Sequence, residues 1–160
     1  MTPLTHVVET WASMYSNSWA LRSGISFAHI GGLVGAGGCA IAADRATILA
    51  SGRGREDRVE HRETLHAVHR IVVAGLVIVA ISGGLLLLAD LDAYLHAAVF
   101  WIKMAAVVAL TVNGARLVAA GRKAIVGSET EWSALRRASI ASLVLWFVTT
   151  LLGTVLPNVL

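Results

Sequence analysis

Four long apolar stretches, at about residues 25–50, 68–89, 94–118 and 138–157, leave this chain few ways to fold. Each is about as long as the ~20 residues a helix needs to cross the hydrocarbon layer of a membrane. With 56% apolar and only 14% charged residues, a chain of 160 residues cannot keep a water-covered surface. The expected class is therefore all-α: an integral membrane four-helix bundle. A single transmembrane domain over residues 1–160 is expected, because the connections at about 51–66, 90–93 and 119–137 are too short to fold alone.

Charge orients the bundle. All Lys and Arg residues except Arg22 and Lys103 fall in or beside the first and third connections, from Arg45 to Arg70 and from Arg116 to Arg137. The positive-inside rule makes those connections cytoplasmic and puts both termini and the Asp90/Asp92 turn outside. Basic residues beside anionic headgroups account for a formal charge of +3, so no nucleic-acid partner is implied. The first 24 residues lack the basic start and apolar core of a signal peptide. Trp11, Tyr15 and Trp19 recur every four residues, the pattern of a short N-terminal helix anchored by aromatics at the outer interface.

Polar side chains inside the spans carry the functional signal. His29 lies about four residues, or ~6 Å, below the outer end of the first span. His96 lies at a comparable depth if the third helix starts near Ala93 or Tyr94. Two imidazoles on different helices at one level are what axial ligation of a haem iron needs, so the pair is a candidate haem b site. Gly32, on the face of His29, and Gly84, toward the outer side of the second helix, are expected to make room for the cofactor. Gly83 and Gly153 bring further space. Lys103, two turns below His96, is positioned to face haem, a quinone head or a carboxylate. The same histidines also suit structural hydrogen bonding, another metal or a proton path.

Gly31 and Gly35 form a small-xxx-small pair on a different face, which lets helices approach closely. The single cysteine, Cys39, excludes an internal disulfide and reads as a packing residue. At the cytoplasmic side, EHRETLHAVHR at 60–70 places His66 and His69 one turn apart, with His61 nearby. No histidine opposes them from another helix, so an interfacial patch at lipid headgroups or a quinone is favoured over a metal site with Glu60 or Glu63. Asp44 and Arg45 are expected to satisfy one another or to meet Arg70 and Arg116.

The runs FAHIGGLVGAGGCAIAADR, HRIVVAGLVIVAISGGLLL and FWIKMAAVVALTVNG resemble bacterial four-helix membrane proteins of the copper-resistance D-like type and, more loosely, membrane-bound b-type cytochromes. The resemblance covers about residues 24–118. It implies a multi-pass protein of the bacterial inner membrane and, from the cytochrome side, haem b held by His29 and His96. A second cross-helix histidine pair is missing, which leaves the inner half of the bilayer unbridged for electrons. Copper(I) transport fits less well, because one Cys and three Met supply few sulfur ligands. No Walker loop, HExxH or GxSxG motif appears, and no catalytic side chain is assigned. The leading expectation is a small membrane cytochrome b exchanging electrons with a quinol or a periplasmic redox protein. The alternative is a non-catalytic membrane subunit, or a small-solute, proton or metal transporter, with structural histidines. Membrane lipid and a second copy of the chain are the remaining expected partners.

Overall fold

The computed structural model describes the backbone of residues 3–51, 55–124 and 129–160, and the side chains of 5–51, 68–121 and 130–160. Its elements, all helical, are α1 Pro3–Asn17, α2 Trp19–Ala50, α3 Arg55–Ala89, α4 Leu91–His96, α5 Ala98–Ala124 and α6 Glu129–Val155, closed by a 3-10 turn at Leu156–Asn158. Four stretches are long and apolar enough to cross a membrane: Trp19–Ala50, Val68–Ala89, Ala98–Gly121 and Thr130–Asn158.

Local chemistry explains where the helices break. The Ser18 hydroxyl accepts a hydrogen bond from the Leu21 amide at 3.3 Å, so α2 starts there, several residues before the apolar run. At the other break, the Ala97 amide turns to the Tyr94 carbonyl at 3.2 Å, and the His96 ring, in the last turn, also binds the Asp92 carbonyl at 2.8 Å. Ala97 is then extended, with φ −82° and ψ 116°, and α5 begins only at Ala98. The third span is therefore shorter at its start than the sequence suggests, and His96 lies outside it.

Packing joins the helices unevenly. The pairs α2–α3 and α5–α6 make the broadest interfaces, α2 lies against α6, and α3 and α5 share no comparable contact. Small residues bring α2 and α3 together. A Cβ at Gly75 would stand 2.8 Å from the Ala36 Cβ, and one at Gly32 would stand 3.0 Å from Val79 and 3.2 Å from the Gly75 carbonyl oxygen. Gly37 turns toward α6, where a Cβ would meet the Trp146 ring at 3.2 Å. Ala36, Leu110 and Trp146 form the central core, while Trp132 and Leu135 form a second cluster with Leu117 and Ala120. Large apolar side chains face outward, among them Phe27 at 78% and Phe147 at 68% exposure, as helices surrounded by lipid tails require.

The end that carries α1, α4 and both termini is called the terminal end below, and the opposite one the basic end. At the terminal end α1 rests on α3 and α2, with Trp11 Nε1 donating to the Leu85 carbonyl at 2.9 Å. Trp11 and Tyr15 stack at 6.2 Å between ring centroids, but Trp19, expected to continue their stripe, is exposed on the next helix.

Candidate functional site

Two polar side chains of different spans, His29 of α2 and Lys103 of α5, lie in the terminal half of the molecule. His29, half-buried on α2, directs Nδ1 to the Val79 carbonyl at 3.2 Å and to the Ser82 hydroxyl at 3.1 Å on α3. A carbonyl only accepts, and the Ser82 hydroxyl donates its own hydrogen to the Ile78 carbonyl at 2.6 Å. Nδ1 therefore carries the proton, which makes Nε2 of the neutral ring the lone-pair nitrogen. A histidine fixed in this way through one nitrogen can accept a hydrogen bond or ligate a metal through the other. Gly83 makes it sterically feasible, since a Cβ there would stand 3.1 Å from the His29 ring.

Lys103 approaches from α5 closely enough to act on the charge of His29. The end of its side chain lies over Gly153 of α6, where a Cβ would be 3.7 Å from Nζ. Among the described residues Lys103 has no hydrogen-bond or ion-pair partner. A lysine within a span is costly without a partner, so this nitrogen is an open binding group. The site thus offers an electron-pair donor, His29 Nε2, and the amine of Lys103 on α5, within the electrostatic reach of His29.

His96 does not join it. Its side chain is 80% exposed, and Nδ1 is engaged with the Asp92 carbonyl and, at 3.4 Å, with the Asp92 carboxylate. Counting depth along one continuous helix placed it level with His29, but the break at Ala97 puts it on a separate short helix. Gly32 is also reassigned: it is a contact point between α2 and α3 rather than a cavity wall, because Val79, Ile78 and Gly75 occupy the space beside it. Gly84 does border open space, with nothing within 4 Å of where its Cβ would be.

At the basic end, the side chain of His66 lies outside the described residues, and His69 is exposed. No three His, Cys, Asp or Glu side chains gather as a metal site among the described residues. Asp44 does not pair with Arg45, which is exposed, nor with another basic side chain among the described residues. It is buried against Ser139 and Ser142 of α6. Sequence reasoning missed Ser82, Ser139 and Ser142. The available signal was a hydroxyl inside an apolar run, and for the last two a three-residue spacing that shares one helix face.

The chain matches no protein-family model, and neither a curated protein nor a solved structure matches it.

Proposed function

We propose that this chain is a multi-pass protein of the bacterial inner membrane, a four-helix bundle with α1 in the outer interface and both termini outside, that carries haem b on His29 and exchanges electrons with a quinol or a periplasmic redox protein. The observation that carries this reading is the prepared state of His29: Nδ1–H held by Val79 and Ser82, Nε2 left free, in a half-buried position. His29 would hold the haem iron through Nε2, and Lys103 would offset the charge of a propionate. His96, 80% exposed with Nδ1 engaged by Asp92, would not serve as a second ligand in this arrangement. When bound, haem b supplies one-electron redox chemistry. The chain's own part is to orient the ligand nitrogen, offset the propionate charge and exclude water with the apolar faces of α2 and α3.

The test is the absorption spectrum of protein purified in detergent. A Soret band that shifts on reduction is expected. A colourless preparation that takes up no added haem would replace this reading with the non-catalytic subunit or small-solute transporter, in which Lys103 meets an anionic solute instead.

A further inference from the structure

A second polar site lies toward the basic end, at the α2–α6 interface. Asp44 is 5% exposed and Ser139 is wholly buried, at 0%. The carboxylate oxygen Oδ2 of Asp44 and the hydroxyl oxygen of Ser139 are both sealed from solvent and make no hydrogen bond. The two residues belong to different helices, yet Ser139 and Ser142 lie near enough to act on the Asp44 carboxylate. A sealed carboxylate with an idle oxygen, beside a sealed hydroxyl that is also idle, is costly unless something sits between them.

We infer that Asp44, Ser139 and Ser142 form an intramembrane binding site for a monovalent metal cation, sodium by its donor set. All three contribute hard oxygen ligands, so the site does not select transition metals, which favour nitrogen and sulfur. One carboxylate balances one positive charge. Calcium sites collect several carboxylates and carbonyls, and no group of three acidic, histidine or cysteine ligands exists among the described residues. A cation between α2 and α6 gives the idle Oδ2 and Ser139 oxygens a shared partner and joins two helices that otherwise meet through Gly37, Trp146 and neighbouring apolar groups. This site goes beyond the haem reading and stands or falls without it.

The experiment is equilibrium binding of ²²Na⁺ to the full-length protein in detergent, with choline chloride holding the ionic strength constant. Saturable binding is expected, displaced by unlabelled sodium and not by choline. Asp44→Asn, which keeps the side-chain shape, should reduce binding to background. Ser139→Ala should weaken it by roughly tenfold or more, the effect of losing one charge-assisted contact. Circular dichroism and elution volume verify that each variant remains folded. If either variant fails that check, thermal unfolding of the wild type in sodium against choline decides, with a saturable sodium-dependent rise in Tm expected. Background binding by the wild type, or binding that Asp44→Asn leaves intact, overturns the inference. So does a Tm that responds to pH and not to sodium, which would make Asp44 a proton site only.

Discussion

Along α2, two polar residues fifteen positions apart are treated in opposite ways. His29 is half-buried, has one nitrogen tied to α3 by Val79 and Ser82, and leaves the other unengaged near Lys103. Asp44 is closed off against α6, with an oxygen that reaches nothing. The difference follows from the packing. Toward the terminal end α3 and α5 share no broad interface; the His29 ring packs over Gly83 and the Lys103 amine over Gly153, while Gly84 borders open space. At Asp44 the α2–α6 contact leaves no such opening, which suits an ion. On the proposed readings His29 serves a cofactor and Asp44 a cation, and the two differ in the neighbours α2 packs against at each.

The largest effect that tests this contrast is on pigment. His29→Ala should abolish haem binding while His96→Ala leaves the spectrum unchanged, measured as Soret absorbance per mole of protein. Equal loss in both variants would return His96 to the site and require α4 to rearrange. Packing comes next. Gly75→Ala places a Cβ at 2.8 Å from that of Ala36, so it should destabilise the α2–α3 pair by ~1–3 kcal/mol. Gly32→Leu should act in the same way and lower stability before it lowers cofactor occupancy. Gly35→Ala, with nothing within 4 Å, should lie within ~0.5 kcal/mol of the wild type. Thermal unfolding in one detergent compares the three.

A smaller change is expected from Ser82→Ala. It removes one of two acceptors for the His29 Nδ1–H but keeps the Val79 carbonyl, so haem should leave faster by about tenfold, read as transfer to a haem-scavenging apoprotein. The smallest effect concerns Tyr94, outside the spans. Burial first, then the neighbouring Tyr15 and Asp90, raise its pKa above the ordinary tyrosine value of about 10. The fold holds the neutral phenol, so its contribution is intact below pH ~10 and is lost as the pH rises through the higher folded-state pKa. The difference between wild type and Tyr94→Phe in absorbance at the tyrosinate band should show a group that ionises later than a free tyrosine.

Much of the helical layout was legible because long apolar runs have a single cheap solution. The span at 68–89 coincides with its apolar run. The starts of α2 and α5 were not, since each depends on local geometry: the Ser18 hydroxyl at the Leu21 amide, and the extended Ala97, whose amide turns to the Tyr94 carbonyl. The second error moved a proposed ligand off its level. His29 and Lys103 were legible as polar residues within apolar spans. Which glycines line space was not legible. Gly31, Gly32 and Gly35 look alike in sequence, and only the crossing of α2 and α3 makes Gly32 a contact and leaves the other two outward. Asp44 shows the same limit: neighbouring arginines suggested an ion pair, whereas rotation of α2 turns its carboxylate to the serines of α6.

The claim that His29 alone holds the cofactor is tested most directly by the spectrum of the reduced wild-type protein before and after carbon monoxide. If His29 were the single protein ligand of the haem, carbon monoxide should bind the reduced protein at once and shift the Soret band. A reduced spectrum that carbon monoxide leaves unchanged, in protein that does contain haem, would mean a second side chain already occupies that position and would contradict the account.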